Sequence, residues 1–410
     1  MKQLLIIGFV WPEPTSTAAG SRMLQLINIF IEAKYTITFV STAAKNNQSY
    51  NLDNLGIKSI NIELNNSNFD KLLLEINPSI VLFDRYLTEE QFGWRVDDFC
   101  PNAIKILDTE DLHFLRYARQ LAIKKNTNNL EKYLINDITL REIASIYRCD
   151  LTLIISKYEE KLLLEKFNIN AAILIYLPFL IDTNDFFINI KSPSFTERKN
   201  FMTIGNFKHE PNYQAVINLK NNIWPLIKAK IPSAEMHVYG SYVTEKVLQL
   251  QNKKDGFYIK GWIESAKTAF ENSRVCLAPI QFGAGLKGKL FDAMVFGTPS
   301  VTTSIGAESM HNNLPWNGFI EDSNKIFAEK AIELYTNEGV WKESQQHGYT
   351  ILKACYSKEK YSKEFLSYIK RIELNFQLHR TNNFMGTMLK HHTLKSTKFM
   401  SKWIEEKNKK

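Results

Sequence analysis

Closely spaced glycines, two lysines and an acid follow one another in Gly283-Ala284-Gly285-Leu286-Lys287-Gly288-Lys289-Leu290-Phe291-Asp292. Glycines let a backbone approach phosphate closely, and the first turn of a following helix offers unbonded N–H groups and a positive dipole end. Lys287 and Lys289 add charge. Asp292, about one helical turn beyond Lys289, could reach a ribose hydroxyl. A tight surface turn before a core helix has the same spacing, because Gly-x-Gly alone is common. The run is neither a Walker loop nor a GxGxxG fingerprint.

A second set lies early in the chain. Gly20, Ser21 and Arg22 open a helix after the first apolar run, where backbone N–H groups and a bidentate guanidinium suit an anion. Ser21 is equally an ordinary helix cap. Asp108-Thr109-Glu110-Asp111-Leu112-His113 is dense in titratable groups at a strand end. His113, Asp108 and Glu110 are candidates to orient a hydroxyl or take its proton. The alternative is a solvated acidic cap paired with Arg116 and Arg119. Asp84-Arg85-Tyr86 reads more simply as a surface ion pair. His391-His392 is not a metal pair, since adjacent helical residues diverge, and no metal site is expected.

These residues need scaffolds. Leu4–Phe9, Tyr35–Ser41, Ile57–Leu64, Ile80–Phe83, Ala103–Leu107, Leu151–Ser156 and Ile173–Leu177 read as strands, with helices at Ser21–Ala33, Phe69–Ile76 and Leu130–Tyr147 between some of them. The N-terminal run resembles a signal peptide in composition, but the continuing alternation favours a buried first strand. A polar linker spans Ile181–Asn200. A second alternation follows, with strands at Asn200–Ile204, Glu235–Tyr239, Phe257–Lys260, Val275–Pro279 and Pro299–Thr303. Helices are expected at Asn212–Lys228, Thr244–Gln251 and Lys289–Phe296. Two open α/β domains with mainly parallel sheets are expected, their functional loops at the carboxyl ends of the strands.

The bulk properties agree. A chain of 410 residues suggests two domains, and 44% hydrophobic with 23% charged residues is ordinary for a folded protein. A net charge of +8 selects no partner by itself. Cys100, Cys149, Cys276 and Cys355 are scattered, which suits a reducing cytoplasm. No apolar run is long enough to span a bilayer. Lys390, Lys395, Lys398, Lys402, Lys407, Lys409 and Lys410 crowd the tail beside Leu389, Phe399, Met400, Trp403 and Ile404. That stretch is either a basic amphipathic helix for an anionic bilayer or a helix packed on the first domain, with Trp403 buried. The packed form is the favoured one.

The second half resembles the retaining GT-B glycosyltransferases, most closely glycosyltransferase family 4. The resemblance is carried by Phe201-Met202-Thr203-Ile204-Gly205-Asn206-Phe207 with Pro211-Asn212, Ala234 to Gly240, Phe257 to Glu264, Val275 to Pro279, and the glycine run, in that order. It implies an α/β, GT-B architecture: two Rossmann-like α/β/α domains facing a central cleft, with a C-terminal helix crossing back to the first. The implied boundaries are an acceptor-side domain at 1–185, a donor-binding domain at 195–360 and a helical segment at 361–410. The implied donor is a nucleotide-diphosphate sugar, a UDP- or GDP-sugar, with no metal or other cofactor required. Its base would lie by Gly261, Trp262 and Ile263. Its phosphates would lie on Gly283, Ala284, Gly285, Leu286, Lys287 and Lys289, its ribose at Asp292, with Gly205, Asn206 and Lys208 and the Gly20-Ser21-Arg22 loop nearby.

The family often carries Glu-x7-Glu where this chain has Ala284 and Asp292, and Arg where it has Asn206. The implied activity is transfer to a sugar, lipid-linked or protein hydroxyl in cell-envelope glycan synthesis, without nucleic acid. It would take place in the cytoplasm, with the tail as the candidate for contact with the inner membrane surface. A GT-B sugar-nucleotide epimerase and a catalytically silent GT-B binding protein are the alternatives, and oligomeric state is left open.

Overall fold

Apolar runs of four to six residues become the inner strands of two parallel sheets, because strands covered on both faces carry no polar alternation. The computed structural model describes residues 2–127, 129–189 and 192–408. Met1, Lys409, Lys410 and linker positions 190–191 lie outside the described residues. The chain divides into two compact units: Met1–Pro14 with Ser21–Leu177 and Lys360–Lys410, and Thr15–Gly20 with Pro178–Glu359.

The first unit holds seven strands: β1 (Gln3–Gly8), β2 (Thr36–Ser41), β3 (Lys58–Asn61), β4 (Ile80–Asp84), β5 (Ile104–Asp108), β6 (Leu151–Ile154) and β7 (Leu174–Tyr176). Their order is β3-β2-β1-β4-β5-β6-β7, all parallel. Leu4 to Ile7 and Ile80 to Phe83 form its centre, buried on both faces. The strand order reverses between β1 and β4, so the loops leaving them open a crevice at the carboxyl edge. The long helix expected at Leu130–Tyr147 is instead two, Glu131–Leu134 and Asp137–Arg148. Asn136 explains the break: its side chain accepts from the Ile138 and Thr139 N–H groups, completing a capping box with Thr139.

The second unit holds β8 (Asn200–Ile204), β9 (Met236–Tyr239), β10 (Phe257–Gly261), β11 (Ser273–Ala278), β12 (Ser300–Thr302) and β13 (Gly318–Ile320), in the order β10-β9-β8-β11-β12-β13. These too are parallel. Phe201, Trp224, Met236, Val238, Phe257, Val275 and Leu277 lie in its main core. The helix expected over Asn212–Lys228 is interrupted by a wide π turn at Leu219–Ile223, next to Pro225, which has no N–H to donate. The switch of strand order falls between β8 and β11, and the loop after β11 carries the glycine run.

The last fifty residues form helices at Lys358–Leu374, Phe376–Asn382 and Phe384–Asn408. The third packs on the helices Arg85–Phe99 and Asp137–Arg148 of the first unit. Trp403 is nevertheless 60% exposed, which corrects the expectation of a buried tryptophan. The inward face is filled instead by polar groups such as Ser401, which is buried against Arg95.

Candidate functional site

In the second unit, loops from neighbouring strands are tied together at the carboxyl edge of the sheet. The Gly205 N–H donates to Tyr239 O at 3.2 Å, the Phe207 N–H to Ser241 O at 3.1 Å and the Gly240 N–H to Gly261 O at 2.8 Å. Gly240 is required where it sits: with φ +153°, a Cβ there would come within 1.8 Å of the Gly205 carbonyl oxygen. The loops after β8, β9 and β10 therefore act as one ledge. Gly205, Asn206, Lys208, Gly261, Trp262 and Ile263 all lie on it. The Asn206 side chain accepts from the Lys208 N–H at 2.8 Å, and the Lys208 ammonium lies over the Tyr242 ring, 3.6 Å from its centroid. Trp262 is 46% exposed, an uncovered flat surface at the end of β10.

Across the switch point, the loop after β11 leads into the helix Gly288–Val295. Lys289 Nζ donates to Asn212 Oδ1 at 2.8 Å, and Asn212 Nδ2 donates to Asn206 O at 2.9 Å. This chain joins the first turn of the glycine-loop helix to the β8 ledge. Burial pulls the Lys289 ammonium down to about 8, and burial pushes the Asp292 carboxyl up to about 7. Both groups are thus held in a site that disfavours charge, where a ligand that restores the charged forms gains from doing so.

The residues of the run do not all play the expected part. Lys287 Nζ folds back onto Gly285 O at 2.7 Å and Ala284 O at 3.3 Å. It braces the loop, and this corrects its expected role as a phosphate contact. Ala284 and Leu286 are buried, so only their backbone can face a ligand. Gly288 sits against Ala18, where a Cβ would come within 2.4 Å of the Ala18 Cβ. The Thr15–Gly20 segment, grouped with this unit, thus lies on the start of the same helix. The Gly20 N–H is taken by Thr17 Oγ1 at 2.9 Å, and Ser21 Oγ donates to Pro14 O at 3.1 Å. Asn212 was missed as a site residue. Its only sequence signal was its place after Pro211 in the resembled motif.

The first unit has its own cluster at the carboxyl ends of β4 and β5. Arg22, expected as an anion contact, is 1% exposed, and its Nη2 donates to Asp108 Oδ1 at 2.9 Å while its Nη1 donates to Leu177 O at 2.7 Å. Asp108, expected as a catalytic acid, is fully buried in that pair. Both are corrected to internal braces. Glu110 stands beside them. Burial first, then the Asp108 charge, raises its carboxyl well above the usual range.

Asp84 is buried, with Oδ2 accepting from the Phe9 N–H at 3.0 Å and Arg85 Nη1 at 3.5 Å from the same oxygen. Its Oδ1 is buried without a hydrogen-bond partner among the described residues. The reading of Asp84-Arg85 as a surface ion pair is corrected accordingly. Arg85 and Glu110 both adopt left-handed backbone, at φ +70° and +62°, a conformation that costs non-glycine residues about 1–2 kcal/mol each. Such strain gathers at functional sites.

His113 begins the helix His113–Lys124. Its N–H and that of Phe114 donate to Glu142, at 3.2 and 3.0 Å, and the Leu112 N–H donates to Glu159 at 2.9 Å. Two buried glutamates therefore occupy the helix N-terminus that an anion would otherwise use. The His113 ring packs edge-on against Tyr86, with Nε2 3.5 Å from Asp111.

A family model for glycosyl transferases group 1 matches residues 198–337, which lie within the second unit. No curated protein matches the chain. Solved structures match its fold along nearly its whole length. A TarM mutant from S. aureus, in complex with Fondaparinux, alpha-GlcNAc-glycerol and UDP, superposes with a TM-score of 0.68 at 12% identity, covering 90% of this chain and 99% of that one. Sucrose-phosphate synthase from Thermosynechococcus elongatus gives 0.68 at 13%, covering 91% and 99%. Anabaena HepE in complex with UDP and glucose gives 0.66 at 10%, covering 90% and 100%.

Proposed function

We propose that this chain, whose residues 198–337 match a family model for glycosyl transferases group 1, is a GT-B glycosyltransferase whose second unit binds a UDP- or GDP-sugar and passes the sugar to a hydroxyl acceptor. The observation that carries this reading is the Lys289–Asn212–Asn206 chain across the β8/β11 switch point. Open α/β sheets bind ligands at such points. The diphosphate lies on the amides of Gly283, Gly285 and the first turn of the Gly288–Val295 helix, with Lys289 as its charge partner. The ribose hydroxyls donate to Asp292, and the base lies on the ledge against Trp262.

In the reaction, the bond from the sugar anomeric carbon to the diphosphate breaks and a bond to the acceptor oxygen forms. The nucleoside diphosphate leaves with the electron pair, and the acceptor proton passes to a base. Lys289 and the helix amides stabilise the departing charge, so the transfer is proposed to need no metal. Retention of anomeric configuration is proposed from the family likeness. On the acceptor side, Glu110 and His113 are the proposed groups. Glu110, whose proton affinity burial and the Asp108 charge raise above that of an ordinary carboxylate, holds an accepted proton more tightly than an ordinary carboxylate does. The acceptor is a sugar, a lipid-linked glycan or a protein hydroxyl, in the synthesis of an envelope polysaccharide.

A thermal-shift series with UDP, GDP and their sugars tests the donor site. Ligand at 100 times its dissociation constant should add about 2.7 kcal/mol of stability. No shift with any nucleoside diphosphate would remove the assignment. Trp262→Ala separates the base contact from folding. Loss of a stacking surface weakens nucleotide binding by about 1–3 kcal/mol, which calorimetry with UDP reads as a rise of roughly 5- to 150-fold in Kd. The melting temperature should not move, because the ring is already half uncovered.

A silent binding protein is the second reading, favoured by Ala284 in place of the family's acid. It predicts weak or no nucleotide binding and no donor turnover.

A further inference from the structure

Arg85 is the first residue after β4, beside the crevice between β1 and β4 where an open α/β sheet takes its ligands. Its side chain is 15% exposed. A guanidinium carries five N–H donors, and among the described residues none of them makes a hydrogen bond. Its contacts are Asp84 Oδ2, 3.5 Å from Nη1, and the Phe9 ring, 5.3 Å away at the centroid. These idle donors are held at φ +70°, a backbone conformation that disfavours a side chain. The neighbouring Asp84 Oδ1 has the opposite need: it is a buried acceptor without a donor.

Unused donors beside an unused acceptor are the complement of a hydroxyl, which both accepts and donates. A phosphate or carboxylate would serve Arg85 alone. It would also add negative charge where the groups acting most strongly on Arg85 are all acids: Asp84, Glu110, Asp111 and Asp108. Arg22 already takes Asp108 and Arg116 takes Asp111, so Arg85 is left facing two carboxyls. Phe9 and Val10, at the end of β1, are exposed and give apolar ground next to the polar groups.

We propose that Arg85 selects the acceptor and that the acceptor is a neutral sugar. Two guanidinium N–H groups donate to neighbouring ring hydroxyls, Asp84 Oδ1 accepts from one of them, and the C–H face of the ring lies on Phe9 and Val10. The role as acceptor rests on the transfer proposed above.

The test is saturation-transfer NMR of the full chain, with and without UDP. The probes are methyl glucoside, methyl galactoside, the methyl glycoside of N-acetylglucosamine, glycerol 3-phosphate and a serine-containing peptide. At least one methyl glycoside should saturate, and the phosphate and the peptide should not. Arg85→Gly should weaken glycoside binding by about 10- to 150-fold, while the urea midpoint holds or rises, because glycine takes φ +70° without strain. Arg85→Lys, which keeps the charge but not the fork, should lose at least about tenfold. No glycoside signal, or glycoside affinity unchanged in Arg85→Gly, would overturn the proposal. So would saturation of glycerol 3-phosphate or of the peptide that Arg85→Gly abolishes, which would give the guanidinium to another class of acceptor. Calorimetry with UDP separates the two readings. UDP binding without glycoside binding sinks the sugar assignment alone, whereas glycoside binding that depends on Arg85 without UDP binding sustains it and removes the donor site.

Discussion

Lys289→Ala should raise the Kd for UDP by about 10- to 150-fold, the loss of one charge-assisted hydrogen bond of about 1.5–3 kcal/mol. The argument rests on where the ammonium sits. It is held by Asn212 at 2.8 Å, and burial has lowered its pKa to about 8. A diphosphate favours the ammonium form and so raises that pKa on binding. Below about pH 8 the lysine is already charged and UDP affinity is flat in this respect. Above it, binding must take up a proton, and affinity falls by up to about tenfold per pH unit.

The unliganded protein behaves oppositely. A lysine whose folded-state pKa is depressed binds fewer protons folded than unfolded, so its contribution to stability rises between about pH 8 and its ordinary value. Calorimetry with UDP from pH 7 to pH 9.5 reads both the loss in Lys289→Ala and the disappearance of the alkaline slope. An unchanged Kd in the variant would place the phosphates elsewhere. Asn212→Ala should lose less, since it holds the lysine without carrying charge.

Asp108→Ala should destabilise the first unit by about 3–5 kcal/mol, because it strands the Arg22 guanidinium at 1% exposure without its counter-charge. The Leu177 carbonyl would remain as an acceptor, but it carries no charge. Urea unfolding should show the drop as a lower midpoint. Replacing both partners with apolar residues, Arg22→Met with Asp108→Leu, should recover much of it, as removing a buried pair entirely is commonly close to neutral. A midpoint for Asp108→Ala within about 0.5 kcal/mol of the parent would return Asp108 to the list of catalytic candidates. Glu110→Gln is the contrasting change. It should leave the midpoint nearly in place or raise it, since Glu110 already faces burial and like charge.

These cases show what sequence carries and what it does not. All seven strands of the first sheet were legible, the buried ones because parallel strands covered on both faces write themselves as unbroken apolar runs, although β3, partly exposed at the sheet edge, carries only Ile60 as an apolar residue. In the second sheet β13 was missed. Gly318-Phe319-Ile320 is three half-buried residues at an edge, too short for any period to register. The glycine run was legible as a phosphate cradle, but the partner of its lysine was not. Asn212 lies 77 positions away, and only the order of strands brings the two together.

Arg22 was misread for the same reason. A Ser-Arg pair at a helix start looks alike whether the arginine faces a ligand or an aspartate 86 residues on. Ala284 and Asp292 were readable as departures from the resembled pattern, yet their environments were not, since burial is a property of the fold. The tail is the sharpest instance. Its apolar residues, Phe399, Met400 and Trp403 among them, were visible beside the lysines, but which side faced inward was decided by Asp97, Asp98 and Arg95, far back in the chain.

The interleaving of the two units fixes an order of events during synthesis. The first unit begins the chain but is finished only by Lys360–Lys410, whereas nearly all of the second lies between Pro178 and Glu359. On a ribosome, the later unit has its sheet available while the earlier one still waits for its closing helices. Until then Asp150 lacks Arg380, and Arg95 lacks Glu405. The nascent first unit must persist without these two ion pairs, with Arg95 still paired to Asp70 and the Asp150 carboxylate bonded to the Lys105 N–H, for the time taken to translate the whole of the second. It is the piece most exposed to chaperone capture, and the C-terminal helix is its latch.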